Sequence, residues 1–244
     1  IEPDNVDRDR ALLFSEAGDS QRTIEKDGLK EEEEELEYMD EEEERIADPL
    51  ESLNRLFFYF NDKLYFLVIK PVARGYSFIL PENARIAIRN VFDNITAPIR
   101  IVNNLLQLKV ESAGNELLRF GFNSTFGVLG LYDYAGKKIG IRMQDEDFGQ
   151  TLGVWGLGPI FYINWPVLGP SSVRDTVGLA GDYFLDPVSY VNPVLDSFAI
   201  RAGDKVNRAS LSIGQYEEIK KDALDPYTAF RDIYYQYRKS KISR

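Results

Sequence analysis

The 244-residue chain contains no cysteine and no histidine. That double absence excludes cysteine and serine–histidine nucleophile systems and the common zinc sites, which need one or both residues. It also removes disulfides as a clue to compartment. Strand signals are equally scarce. No run shows period-two alternation closed by hairpin turns, and helical spacing fits nearly everywhere. There is no GxxxxGK[ST] phosphate loop, and the glycine-rich stretches Gly127–Gly130 and Gly153–Gly158 follow no strand with dinucleotide-fold spacing. No secretory segment precedes Ile1, so the expectation is either a cytoplasmic chain or a mature fragment cut after its targeting segment.

Charge is abundant but uneven. Residues 1–47 hold 19 Asp and Glu and 6 Lys and Arg, a net of −13, so the rest, with 21 acids and 23 bases, carries +2 of the total −11. A nearly neutral body lacks the clustered basic surface that nucleic acid requires, so no nucleic-acid partner is expected. The runs Glu31–Glu35 and Glu41–Glu44 put like charges at i,i+4, which disfavours an isolated helix, although glutamate has good intrinsic propensity. Residues 1–47 therefore read as an acidic leader, disordered or a lone helix, serving as a spacer or as a contact for a basic partner.

The body, residues 48–244, reads as one all-α domain. It opens at Asp48-Pro49-Leu50-Glu51, a capping-box-like arrangement with proline at the first helical position. The Asp-Pro pair recurs at Asp186-Pro187 and Asp225-Pro226, giving three helix starts written alike. The first helix spans about Pro49 to Ile69, with Leu53, Leu56, Phe57, Phe60, Leu64 and Leu67 forming one buried stripe and Pro71 stopping it. Phe58, Tyr65, Phe66 and Ile69 widen the stripe beyond a single core contact. At ~1.5 Å per residue it would be roughly 31 Å long, near a bilayer's apolar thickness. Asp62 and Lys63 inside it argue against a simple span, since a central charge costs roughly 2.5–3.5 kcal/mol on insertion. Two readings stay open: an aromatic-rich helix lying at an interface, or an ordinary core helix.

Further helices are expected over about Pro81 to Ile95, Ile99 to Leu106 behind Pro98, Ser112 to Phe126 and Ser171 to Phe184. Gly178 and Gly181 in the last of these allow close backbone approach. A final helix from Asp225 aligns Tyr227, Phe230, Tyr234 and Tyr237, with basic residues toward its C-terminal end.

No charged residue lies between Asp147 and Arg174. That stretch is long enough to cross a membrane, but its glycines and its prolines at 159, 166 and 170 break a continuous helix. It reads as a bent apolar hairpin presenting Trp155, Phe161, Tyr162 and Trp165, either a buried core loop or an element that touches lipid. Asp145, Glu146 and Asp147 read as a solvated loop rather than a cation site, and Arg174-Asp175 as an ion pair or an anion contact.

Taken together the short motifs resemble the MlaA/VacJ family. They are Asp48-Pro49-Leu50-Glu51, Asn54-Arg55, Phe60-Asn61, Pro71-Val72-Ala73, Asn123-Ser124-Thr125, Phe148-Gly149-Gln150-Thr151-Leu152-Gly153, Gly158-Pro159, Gly169-Pro170-Ser171, Arg174-Asp175 and Asp225-Pro226-Tyr227, in one order from about Asp48 to Arg238. The resemblance implies a ring-like helical lipoprotein on the periplasmic side of a bacterial outer membrane. It would remove misplaced phospholipids from the outer leaflet through an amphipathic channel. Its partners would be phospholipid, a trimeric porin and an MlaC-type periplasmic carrier. No cofactor and no catalysis are implied. The lipidated cysteine of the family is absent from this sequence.

The lipid path is expected along Phe57, Phe60, Asn61, Leu64, Asn123, Phe126, Phe148, Thr151, Leu152, Trp155, Pro159, Phe161 and Arg174, and since a headgroup needs a few polar or cationic partners, Arg174 and Asn123 are expected at its rim. A scaffold that docks porins without moving lipid is the alternative. An enzyme would need serine or carboxylate chemistry, for which no motif is present.

Overall fold

The computed structural model describes residues 45–243, so the acidic leader up to residue 44 lies outside the described residues. The body contains helices α1 (Glu51–Leu64), α2 (Lys70–Ile79), α3 (Glu82–Ile95), α4 (Ala97–Leu106), α5 (Val110–Thr125), α6 (Phe148–Val154), α7 (Val173–Leu185), α8 (Val194–Leu211), α9 (Gln215–Asp222) and α10 (Pro226–Ile242). Between α6 and α7 stands a two-stranded hairpin, β1 (Tyr162–Trp165) and β2 (Gly169–Ser172), antiparallel with Tyr162 opposite Ser172. The fold is all-α apart from this hairpin. Followed from neighbour to neighbour, the contacts run α1, α2, α8, α3, α4, α6, α10, β2 and back to α1, so the elements close on themselves.

Pro71 does not end the first helix. A π turn at Tyr65–Ile69 joins α1 directly to α2, and Lys70 N–H reaches back to the Tyr65 carbonyl. The extra residue in that turn puts Pro71 in the first turn of α2, where a missing N–H leaves no broken bond and the ring has room. The Asp-Pro signatures also diverge. Asp225 caps α10 by accepting from Tyr227 N–H, but Asp186 caps only a 3-10 turn, Pro187–Tyr190. Asp48 caps nothing; its carboxylate accepts from the Asn54 amide at 2.7 Å and from the Tyr227 hydroxyl.

The hairpin is clipped to α1 by two asparagines seven residues apart, hence on one face of the helix. Asn54 donates to the Tyr162 carbonyl (3.1 Å) and accepts from Asn164 N–H (2.9 Å). Asn61 donates to the Trp165 carbonyl (2.9 Å) and accepts from Val167 N–H (2.7 Å), fixing the turn. Beneath lies a small aromatic core of Ile46, Tyr162 and Tyr227 with Phe58, Tyr234 and Tyr235 packed on it. Elsewhere glycine permits close packing. A Cβ on Gly178 would sit 2.4 Å from the Gly149 nitrogen, so α6 and α7 meet backbone to backbone.

The expected buried stripe on α1 is overturned. Leu56 is 60% exposed and Leu67 72%, while Asn54 and Asp62 are the buried residues of that helix. The inversion is general. Among the described residues twenty-three polar or charged side chains are buried against eight apolar ones, and four of the eight are alanines. The large apolar side chains point outward instead, Phe78, Leu108, Leu129 and Val194 among them. A water-soluble bundle distributes these classes the other way.

Candidate functional site

The buried polar residues are arranged by helical spacing. On α4 and its C-terminal cap, Arg100, Asn103, Asn104 and Gln107 fall at i, i+3, i+4 and i+7 and form one inward face. Each finds partners. Arg100 donates to Glu116 on α5 (2.7 Å), Asn103 to Asp182 on α7 (2.9 Å), and Gln107 to Glu146 (3.0 Å). Glu116 is fully buried between Arg100 and Arg119, whose other end reaches Asp133 at 2.9 Å. A charge this deep is tolerable only because cations flank it on both sides.

Cavities follow the polar face. One of about 390 Å³ lies between the hairpin, α7 and α10, and shares Asp147, Leu168, Leu179 and Asp182 with a second of about 430 Å³. Arg100 faces both that second cavity and a constriction of only about 20 Å³, lined by Asn94, Arg119 and Asn123 among others. Beyond it, sharing Asn90, Asp93, Arg119 and Asp133, opens a cavity of about 500 Å³. The four form a series that shares lining residues from one to the next, walled by charged and apolar side chains alike, and the smallest has room for about one water. A fifth cavity, about 280 Å³, lies between the loop 156–159 and the end of α10 and shares Tyr234 and Arg238 with the first.

Electrostatics differ along the series. Burial, reinforced by the charge of Asp147, pushes the Asp182 carboxyl up to about 6, although Phe148 N–H and Asn103 donate to it. Burial opposes the charge of Asp147 too, but Arg238 donates to both its oxygens, at 2.5 and 2.8 Å, and holds that carboxyl below its usual range. Arg238 also pairs with Asp175 at 2.7 Å, and Asp175 binds Arg174 at 2.8 Å. Arg174-Asp175 is thus part of a buried network joining α6, α7 and α10. The acidic trio is likewise not a solvated loop. Only Asp145 is exposed; Glu146 is buried and paired with Lys109 at 3.0 Å, and Asp147 caps α6. No cluster of three or more possible metal ligands occurs among the described residues. No helix among them is long and apolar enough to cross a membrane.

Of the residues expected along a path, Asn123 lines the constriction, donating to Asp133 (3.0 Å) and accepting from Ala135 N–H (2.9 Å). Pro159 and Arg174 line the fifth cavity. The other ten line none of these five cavities. Asn61 holds the hairpin turn, and Thr151 is buried between α6 and α4, donating to Asn103 at 2.8 Å. Phe148 packs edge-on against Trp155, whose indole N–H donates to the Leu106 carbonyl at 3.1 Å. Phe60 and Phe126 face outward, and Phe57, Leu64, Leu152 and Phe161 are half-buried. Arg100, Glu116, Arg119 and Asp182 were missed. Their signal was present as polar residues at helical spacing, which reads as a solvated face when the apolar face is taken to be the buried one.

Exposed apolar side chains around a buried, charged and hydrogen-bonded interior define a helical body turned inside out relative to a soluble bundle. The chain belongs to the MlaA lipoprotein family, whose model matches residues 46–241. It is 29% identical over 194 residues to the intermembrane phospholipid transport system lipoprotein MlaA of Escherichia coli K12, covering 78% of this chain and 76% of that one. The Haemophilus influenzae protein of the same name is 26% identical over 211 residues, 80% and 79% of the two chains. An uncharacterized protein of Rickettsia bellii is 31% identical over 198 residues, 81% and 77%. A solved chain described in connection with maintenance of bacterial outer membrane lipid asymmetry matches with a TM-score of 0.68 and 27% identity, covering 80% of this chain and 99% of that one.

Proposed function

We propose that the body sits in the outer membrane and gives phospholipid a passage out of its outer leaflet toward the periplasm. The inverted burial carries this reading. Outward leucines and phenylalanines replace water with acyl chains at about 0.8 kcal/mol per buried CH₂, while the charged side chains lining the cavities accommodate a headgroup that hydrocarbon would reject. The names of the MlaA relatives, which refer to intermembrane phospholipid transport, support the same substrate. Movement is passive, since no nucleotide motif is present, and runs down differences in lipid affinity. A trimeric porin would hold the body in place and an MlaC-type carrier would receive the lipid. No catalytic step is required.

Native mass spectrometry with lipid extraction tests the reading. The full chain in mild detergent should retain phospholipid, and the W155S/F161S variant, which removes one exposed and one half-buried aromatic side chain, should retain less. A lipid-free wild-type protein with intact circular dichroism would instead favour a scaffold that docks partners and moves nothing.

A further inference from the structure

The cavity of about 500 Å³ beyond the constriction has an unbalanced charge. Arg89 on α3, Arg119 on α5, Arg142 and Arg208 on α8 line it against Asp93 and Asp133. Both carboxylates are already engaged, Asp93 by Arg208 at 2.7 Å and Asp133 by Arg119 at 2.9 Å. Arg89 and Arg142 have no carboxylate partner among the described residues. Arg89 is half-buried, so its charge is partly stripped of water. Arg142 is exposed but not adrift, because Arg119 donates to the carbonyl of the adjoining Ile141 and ties that segment to α5. Ile141 and Met143 add an apolar wall beside the free guanidiniums.

An occupant must therefore offer anionic oxygens on one side and tolerate apolar contact on the other. We propose that this cavity binds the phosphodiester of a phospholipid headgroup, with Arg89 and Arg142 donating to its non-bridging oxygens and Ile141 and Met143 against the glycerol end. Planar guanidiniums suit phosphate because each presents paired donors, and the volume falls within the range of small-molecule sites. Inorganic phosphate would satisfy the arginines but leave the apolar wall unused. The proposal rests on the passage reading and adds to it the group of the lipid that is held.

The test is calorimetric titration of the full chain in nonionic detergent with dihexanoyl phosphatidylglycerol, dihexanoyl phosphatidylcholine and inorganic phosphate. Both lipids should bind, because both carry the phosphodiester, and phosphate should bind at least about tenfold more weakly. The R89Q/R142Q variant should lose about tenfold or more for both lipids, and R89K/R142K, which keeps charge but not the fork, should fall between. Arg142→Gln alone, at an exposed position, should weaken binding with an unchanged unfolding midpoint. Wild-type lipid affinity in R89Q/R142Q would overturn this site and leave the passage standing. Phosphate binding as tightly as lipid would make it a free-anion site and refute the headgroup assignment. Absence of lipid binding to the wild type would overturn both readings.

Discussion

Replacing Asn54 by leucine inserts a side chain of similar size and greater apolarity, a change that would be mild or favourable in the core of a soluble bundle. Here it should be among the most damaging. The Asn54 side chain is 1% exposed. It donates to the Asp48 carboxylate at 2.7 Å and the Tyr162 carbonyl at 3.1 Å, and accepts from Asn164 N–H at 2.9 Å. Leucine leaves a carboxylate, a carbonyl and an amide without those partners in a site closed to water. At roughly 1–3 kcal/mol for each stranded group, with some relaxation, the loss should come to about 3–5 kcal/mol. The paired control is Leu56→Asn, 60% exposed on the same helix, which should change stability by no more than about 0.5 kcal/mol in detergent. Urea unfolding followed by far-ultraviolet circular dichroism, at one detergent concentration for all variants, gives both numbers. An Asn54→Leu protein within about 1 kcal/mol of wild type, or a Leu56→Asn protein as damaged as Asn54→Leu, would refute the inverted reading.

Glu116→Gln removes the anion between Arg100 and Arg119 and should destabilise by about 3–5 kcal/mol in the same assay, whereas a loss under about 1 would mean the cluster is hydrated. Gly178→Ala puts a methyl 2.4 Å from the Gly149 nitrogen and should cost about 1–3 kcal/mol, while Gly203→Ala, with open space around it, should be neutral or slightly stabilising; equal effects would show that α6 and α7 can part freely. The folded Asp182 carboxyl is pushed up to about 6 from an ordinary 3.8. The folded state therefore holds this proton more tightly, a contribution complete at low pH and lost as pH rises through about 6. Asp182→Asn should flatten the fall in Tm over that window, and an unchanged slope would assign the titration elsewhere.

Much of the helical architecture was legible because its cues are local. Asp225-Pro226 marks a true cap, the close backbone approach at Gly178 was readable from residue size, and the uncharged stretch after Asp147 does contain a hairpin. Polarity was what misled. Periodicity shows that a helix has two faces but not which of them meets water, and α1 carried a clear stripe whose burial was assigned by the habits of soluble proteins. The same assumption hid α8, whose inward residues are Ser197, Asn207 and Ser210, and with it the opposing wall of the cavities. Pro71 misled for a different reason. A π turn is set by how the chain fits its neighbours, and no residue type announces it.

The inverted distribution of side chains also bears on how the chain reaches its destination. For most proteins folding hides what is sticky, so a completed fold can diffuse and an incomplete one is recognised by its exposed leucines. Here completion leaves Phe78, Ile79, Leu108 and Leu129 as bare as before. Any escort that shields these side chains in water must keep hold of the native molecule, and release becomes a matter of arriving at hydrocarbon. For a body seated in lipid as proposed, delivery and final stabilisation are one event, and return to water is opposed by all of these side chains at once.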